Sequence, residues 1–167
     1  MTTDDIPALA ELIRASREFL APWEPARGEE YFTIAGQRAV VETALARHRQ
    51  GLMLPHVILD EAGQVAGRVN LNDIVRGPFQ NAHLGYWVSA TAGGRGVATA
   101  AVAEIITVAF GEWGLHRLQA GTVPHNVRSQ RVLERNGFTR FGLAPQYLSI
   151  AGRWQDHILY QLISPCS

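Results

Sequence analysis

Three glycines stand immediately before a long apolar segment in the middle of the chain. Residues 89–110 are SATAGGRGVATAAVAEIITVAF, in which Gly93, Gly94 and Gly96 precede residues whose spacing predicts a helix. Glycine allows a ligand to approach the backbone closely, and a helix N-terminus carries unpaired N–H groups and a partial positive charge. Phosphate is the ligand that most often uses this arrangement. The pattern predicts a phosphate-binding loop, although an ordinary turn before a helix can have the same composition.

The loop does not match the two common nucleotide-binding patterns. No Gly-Lys-Ser or Gly-Lys-Thr follows it, which argues against a P-loop. A dinucleotide fingerprint needs the first strand of a parallel sheet and an acidic residue about 20 positions later, whereas hairpins dominate this sequence. The sequence also predicts no metal site, because its six histidines are scattered without paired ligand spacing.

Two helices are predicted before the first strand, and two more follow later. Apolar residues between 6 and 19 recur at helical spacing, and Pro22 and Pro25 then break the pattern. Thr33 is the predicted cap of a second helix that ends by Gly51. The long helix after the glycine loop and a short helix between Asn126 and Asn136-Gly137 complete the set.

The predicted strands are mostly joined by hairpins. One hairpin, with the turn EAGQ, precedes a strand rich in aromatic residues, and another closes the chain. The strand after the long helix follows a crossover connection, so it can lie parallel to the aromatic strand. The predicted strands are 55–60, 65–71, 81–90, 116–123, 139–144 and 153–163. Together these elements predict an α/β (α+β) fold with a mostly antiparallel sheet, one central parallel pair and helices on both faces.

Composition limits the partners and the compartment. Fifteen arginines, without a lysine, balance fifteen acidic residues, so we expect neither nucleic acid nor an anionic membrane as a partner. The single Cys166 allows no internal disulfide. No apolar run approaches the ~18 residues of a membrane span, and the acidic start MTTDDIPALAEL is unlike a signal peptide. We expect a cytoplasmic protein that forms a single domain over residues 1–167.

The glycine loop and the later segment PHNVRSQRVLERNGF together resemble the GNAT acetyltransferases. The signature of that superfamily is Q/R-x-x-G-x-G/A at the start of a helix, matched here by residues 93–98, and an asparagine-bearing helix after the next strand, matched at Asn126. Five segments, one of which is the start of this later segment, resemble in the same order the ribosomal-protein alanine N-acetyltransferases of the RimJ/RimL-like group. They are LAPWEPAR, IVRGPF, LGYW, PHNVRS and YLSIAGRWQDH.

The resemblance covers about residues 4–163 and has two departures. The leading glutamine or arginine of the motif is Gly93 here, which leaves Arg95 as the local cation. The usual first strand of the type R-L-x-L-R-P has no counterpart before TTDDIPALAEL, so either that strand is absent or the true start lies upstream. The strand at 55–60 is therefore expected at an exposed sheet edge, which a partner chain in a homodimer could cover.

The resemblance implies acetyl-CoA as the co-substrate and no metal. The loop amides would hold the CoA pyrophosphate, and the parallel strands around Tyr86 and Leu118 would splay apart so that the pantetheine arm inserts between them. The residues implied in contact with the co-substrate are Trp87, Val88, Ser89, Gly93, Gly94, Arg95, Gly96, Val97, Ala98, Thr99, Asn126, Ser129 and Arg131.

The implied reaction is direct attack of an amine on the thioester carbonyl. Many relatives place a tyrosine seven residues after the motif asparagine to protonate the leaving thiolate, but that position is Leu133 here. Ser129, about one helical turn after Asn126, is our candidate donor, and Glu24 in the PWEP segment is our candidate base. A protein α-amine is roughly 10% neutral at pH 7, against about 0.04% for lysine, so an α-amine acceptor needs only a weak base.

The implied acceptor is a protein N-terminus that begins with alanine or serine. The residues expected near it are Trp23, Glu24, Asp73, His83, Tyr147 and Trp154, with Asp156 as a further candidate base and a turn over residues 146–152 closing the pocket. Two alternatives stay open: acetylation of a small amine such as an antibiotic or polyamine, and an acyl-CoA-binding module without catalysis.

Overall fold

The computed structural model describes residues 1–165, so the prediction about Cys166 lies outside the described residues. The helices are α1 (Ile6–Ala15), α2 (Arg17–Leu20), α3 (Ile34–Arg49), α4 (Val97–Gly111) and α5 (Val127–Arg135). The strands are β1 (Leu54–Leu59), β2 (Val65–Val75), β3 (Asn81–Val88), β4 (Arg117–Thr122), β5 (Thr139–Ile150) and β6 (Arg153–Ile163). No helix within residues 1–165 combines the length and the hydropathy that a membrane span requires.

One six-stranded sheet organises these elements, in the order β1-β2-β3-β4-β6-β5. Only β3 and β4 run parallel, and every other neighbouring pair is antiparallel. The crossover between β3 and β4 is made by α4, as the sequence predicts. The predicted α/β fold with a mostly antiparallel sheet and one central parallel pair is therefore confirmed.

Helices cover both faces of the sheet. Successive residues of a strand point to opposite faces, and in β1 Ile58 belongs to the large core with α4, whereas Val57 packs in the smaller core with α1 and α3. The predicted caps explain where two helices begin. The Thr33 hydroxyl accepts the Gly36 N–H at 3.0 Å, and the Asn126 amide oxygen accepts the Ser129 N–H at 3.1 Å.

The last hairpin differs from its prediction. Residues 146–150 belong to β5, and the turn that we expected over 146–152 is only Ala151 and Gly152, both with positive φ (50° and 76°). Gln146 adopts a positive φ (46°) inside a strand irregularity, where its N–H donates to the Asp156 carboxylate at 2.9 Å. Asp156 therefore stabilises this bulge rather than a catalytic site.

Strand β1 is the outermost strand of the described sheet on its side. Leu59 at its end is 54% exposed. The expected edge is thus present, and its pairing with a second chain stays a prediction.

The buried core beside the paired part of β3 and β4 can be tested by measuring the free energy of unfolding. Leu118 in β4 is fully buried among the large core, so Leu118→Ala should lower the free energy of unfolding by about 2–5 kcal/mol. The matched control Leu59→Ala truncates the same side chain at the exposed edge and should change it by no more than about 0.5 kcal/mol. Urea denaturation measures both, and equal losses would contradict this assignment of the core.

Candidate active site

The two central strands separate before they end. Strands β3 and β4 pair only from Asn81 to His83 and from Arg117 to Gln119. Beyond that point β3 stays paired with β2 as far as Val88, and β4 stays paired with β6 as far as Thr122. A cleft therefore opens between them at the end of the sheet that carries the glycine loop, as expected.

Two cavities meet at this opening. The inner cavity, of about 540 Å³, lies over β2, β3 and β4 under the PWEP segment. The loop cleft, of about 610 Å³, lies between the end of β3, the glycine loop and the start of α5. Six residues line both cavities and form their common boundary: Leu20, Trp23, Tyr86, Trp87, Asn126 and Ser129.

The glycine loop carries a row of free backbone amides beside the loop cleft, which Gly93, Gly94 and Ala98 line. Gly94 and Gly96 have positive φ (76° and 82°), and Gly96 is the N-cap of α4. A Cβ atom at either glycine would meet open space, so these glycines serve the backbone conformation and not the packing. The first bond into the helix runs from the Ala100 N–H to the Gly96 carbonyl, and within residues 1–165 the amides of 94–99 donate to no acceptor. This is the geometry of an anion site at a helix N-terminus.

At the end of β3, one edge of the strand is paired with β2, and the other edge faces the cleft. The Ser89 N–H is already bonded to the Ala66 carbonyl at 2.8 Å, on the β2 side. Because successive peptide groups of an extended chain alternate in direction, the Val88 N–H points to the side where β4 has moved away. Of the three residues predicted to pair with a ligand here, Val88 is thus the one whose amide faces the opening.

The cations near the loop are arranged differently from the prediction. The Arg95 side chain is 60% exposed and extends toward the β1–β2 turn, where it lies 4.0 Å from the Glu61 carboxylate. Arg131 is exposed and lines neither cavity. Arg128, which the sequence interpretation passed over, lines the loop cleft instead.

Ser129 lies at the junction of the two cavities and contacts Tyr86. The hydroxyl oxygens of the two residues are 2.9 Å apart, and the Tyr86 hydroxyl also donates to the Ser129 carbonyl at 3.1 Å. Burial raises the pKa of Tyr86 to about 12, so the phenol is protonated throughout the neutral range. A hydroxyl pair of this kind can donate a hydrogen bond to a negative charge that develops between the cavities.

Glu24 lines the inner cavity from the PWEP segment. Its carbonyl accepts the Ala151 N–H at 2.9 Å, which ties this segment to the tip of the last hairpin. Burial raises the pKa of the Glu24 carboxyl, although Arg27 and Arg68 oppose that change. A carboxylate with a raised pKa is better suited to accept a proton near neutral pH.

The structure brings only part of the predicted acceptor set together. Trp23 lines both cavities, with its ring centroid 5.3 Å from that of His125. Four others line neither cavity: Asp73 pairs with Arg47 at 2.8 Å, His83 lies in the paired part of β3, Tyr147 packs on His157, and Trp154 is 66% exposed.

The inner cavity also contains polar residues that the sequence interpretation missed. They include Tyr31, Arg68, Asn70, Asn72, Tyr86 and His157. A signal for three of them was present, since the segment RVNLN alternates polar and apolar residues along β2. That alternation predicts a polar strand face, but it does not say whether the face meets solvent or a cavity.

The architecture therefore combines an anion site, a cleft between strands and a polar inner cavity with hydroxyl groups at their junction. The family model described as "Acetyltransferase (GNAT) domain" matches residues 1–139. The chain is 34% identical to the [ribosomal protein uS5]-alanine N-acetyltransferase of Escherichia coli over 158 residues, which is 94% of this chain and 81% of the relative.

Solved structures agree with this match. RimJ of Mycobacterium smegmatis, solved in complex with CoA-disulfide, is 32% identical with a TM-score of 0.94, over 98% of this chain and 79% of that one. The ribosomal-protein-S5-alanine acetyltransferase of Vibrio fischeri is 33% identical with a TM-score of 0.94, over 99% of this chain and 91% of that one. The protein is a member of the GNAT acetyltransferase family.

Proposed function

We propose that the protein transfers an acetyl group from acetyl-CoA to the α-amine of a protein N-terminus that begins with alanine or serine, of the ribosomal-protein type. The observation that carries this proposal is the meeting of the loop cleft and the inner cavity at Tyr86 and Ser129. Similarity to enzymes named for the alanine terminus of a ribosomal protein supports the choice of acceptor. The proposal takes residues 1–167 as one catalytic domain in the cytoplasm, with the β1 edge available for self-association.

Acetyl-CoA fits the loop cleft on the evidence of the free amides. The pyrophosphate is assigned to the N–H groups of residues 94–98, and the pantetheine arm enters the split beside Val88, where backbone groups lack a strand partner. The arm then leads to Asn126 and Ser129 at the boundary of the inner cavity. This order places the thioester where the two cavities join.

A matched pair of glycine variants tests the loop assignment. Gly96→Val adds side-chain atoms in front of the amides and should abolish measurable CoA binding in calorimetry. Valine at positive φ also strains the backbone by about 1–2 kcal/mol, so Gly63→Val is the control: Gly63 has a φ of 74°, open space and a position in the β1–β2 turn. Equal CoA affinity in the two folded variants would contradict the loop assignment.

Ser129 is assigned the hydrogen bond to the leaving thiolate. Tyr86 holds the Ser129 hydroxyl at 2.9 Å, and Asn126 fixes its backbone through the cap of α5. The pKa of about 12 keeps the Tyr86 phenol protonated, and its one proton is bonded to the Ser129 carbonyl, so the Ser129 hydroxyl can donate to the Tyr86 oxygen at rest and to the sulfur as the thiolate develops. Leu133, at the position where many relatives carry a tyrosine, is a buried core residue.

Steady-state kinetics test this assignment. Ser129→Ala should lower kcat about 10- to 100-fold with little change in acetyl-CoA affinity, because the interaction forms only as the thiolate develops. Tyr86→Phe should give a smaller fall in kcat, since it removes only the positioning hydroxyl. The control Tyr160→Phe removes another tyrosine hydroxyl, one bonded to Glu134 outside the cavities, and should leave kcat unchanged. A loss of affinity without a loss of kcat in Ser129→Ala would make Ser129 a binding residue only.

Glu24 is assigned the proton of the acceptor amine. Its carboxyl is the acidic group that lines the inner cavity within the described chain. Its raised pKa lies closer to the pKa of an α-amine than the pKa of an exposed carboxyl does. The remaining gap is bridged by the acceptor itself, because a fraction of an α-amine is already neutral at pH 7.

The pH dependence of kcat/KM tests the role of Glu24. Below the pKa of the acceptor amine, loss of the neutral amine lowers the rate about tenfold per pH unit in every variant. Protonation of Glu24 adds a second loss as the pH falls, and the raised pKa makes it begin at a higher pH than for an exposed carboxyl.

The wild-type profile should therefore become steeper in the acid range. Glu24→Gln should lose the second slope and be about 100-fold slower at neutral pH. Glu18→Gln, at an exposed site in α2, is the matched control and should keep the wild-type profile. A steep acid limb that persists in Glu24→Gln would contradict a base role.

The charges of the inner cavity separate the two classes of acceptor. Two guanidinium groups, Arg27 and Arg68, and one carboxylate, Glu24, line it. A cavity with this excess of positive charge repels aminoglycosides and polyamines, which carry several cationic groups. A peptide N-terminus brings only one amine and no further obligatory charge.

An acceptor comparison tests the proposed function directly. The enzyme should acetylate peptides that begin with Ala or Ser on the α-amine, as located by tandem mass spectrometry. The same peptides with a blocked N-terminus and an internal lysine should react about 250-fold more slowly, in line with the neutral fractions of the two amines. Turnover confined to lysine, polyamines or aminoglycosides would overturn the proposal, and no turnover with any amine despite CoA binding would favour a non-catalytic module.

A further inference from the structure

One face of β2 carries three polar side chains into the inner cavity. Arg68, Asn70 and Asn72 line this cavity, whereas the intervening Val69 and Leu71 belong to the large core under α4. In the pairing with the neighbouring strand β3, Arg68 lies opposite Trp87, and Asn70 lies opposite Gly85. Gly85 also lines the cavity, and a Cβ atom there would lie 3.2 Å from the Asn72 amide nitrogen, so the glycine makes room for the Asn72 side chain.

Arg68 is buried without a partner for its charge. The residue is 6% exposed, its Nε atom is fully buried, and within residues 1–165 the guanidinium makes no hydrogen bond or ion pair. The buried Oδ1 atom of Asn70, next on the same face, also lacks a donor. Burial lowers the pKa of Arg68, and the opposing effects of Tyr31 and Glu24 do not cancel that change.

The neighbours of Arg68 do not supply the missing anion. Glu24 attracts it but lies beyond ion-pair distance, and Arg27, stacked 4.7 Å from the centre of the Tyr31 ring, repels it. His157, the titratable group that faces the cavity from β6, bonds through Nδ1 to the Gln155 carbonyl. A buried guanidinium with donors to spare next to an open cavity is arranged to receive a carboxylate from outside the protein.

We propose that Arg68 binds a carboxylate of the acceptor, so that the enzyme prefers N-termini with an acidic side chain at the second or third residue. This inference rests on the proposed function, because it takes the inner cavity as the acceptor site. Glu24 faces the amine end of the bound peptide, while Arg68 and the Asn70 amide receive the acidic side chain and the adjoining peptide group. Arg68 is thus a specificity residue and takes no part in the acetyl transfer.

Four peptides of equal length measure the preference. They begin Ala-Glu, Ala-Gln, Ala-Ala-Glu and Ala-Ala-Gln and are otherwise identical, so that each pair differs only in charge. At one of the two positions, wild-type kcat/KM should be about 10- to 100-fold higher for Glu than for Gln, the range expected for a hydrogen bond to a charged group. Equal values for Glu and Gln at both positions would overturn the inference.

Substitution of Arg68 then assigns the preference to this residue. In Arg68→Met the Glu/Gln ratio should fall to about one with the CoA affinity unchanged, and the melting temperature should not fall, because an uncompensated buried charge is removed. Arg68→Lys keeps the charge without the planar fork and should retain only part of the ratio, which gives a second reading if the methionine variant does not fold. Arg49→Met, at an exposed arginine at the end of α3, is the control and should keep the wild-type ratio. A Glu/Gln ratio that survives in Arg68→Met, or in Arg68→Lys if the former is unfolded, would overturn the role of Arg68.

The outcomes separate this inference from the function on which it rests. If none of the four peptides is acetylated, the proposed function fails. If all four are acetylated on the α-amine with equal kcat/KM, the proposed function stands and only the assignment of Arg68 fails.

Discussion

Hydrogen bonding between β3 and β4 stops after His83 and Gln119, although both strands continue. Backbone groups in the middle of a sheet normally pair with a neighbouring strand, and leaving them unpaired away from water costs free energy. The antiparallel neighbours β2 and β6 hold the separating strands in place, so the gap cannot close by local rearrangement. A ligand with its own amide groups can fill such a gap as a further strand would, and the active site depends on this interruption.

The interruption also brings the two helix N-termini of the site together. Strand β3 leads through the glycine loop into α4, and β4 leads through Asn126 into α5. Because the two strands are parallel, their C-terminal ends lie at the same end of the sheet. The N-terminus of α4 and the hydroxyl of Ser129 therefore lie at one opening. The chemistry thus needs few dedicated side chains, since most of the binding groups are parts of the backbone.

Much of this arrangement could be predicted from sequence because local signals encode it. Thr33 and Asn126 are strong N-caps, and the glycines before α4 mark a loop with positive φ, so these elements begin where they were expected. In the last hairpin Gly152 marks the turn, but Gln146 and Ala151 adopt positive φ without being glycine, so the irregularity in β5 has no such signal. Arg68 and Tyr86 were missed for another reason. The strand period shows which residues share a face, but only the tertiary packing decides whether that face borders water, core or a cavity.

The bond between the Glu24 carbonyl and the Ala151 N–H joins two segments that are far apart in sequence. One carries the carboxylate of the inner cavity, and the other is the tight turn at the tip of a long hairpin. A single backbone hydrogen bond at the surface contributes little to stability, because water can replace it at little cost. The cover over the inner cavity is consequently held less firmly at this point than the continuously paired sheet below it.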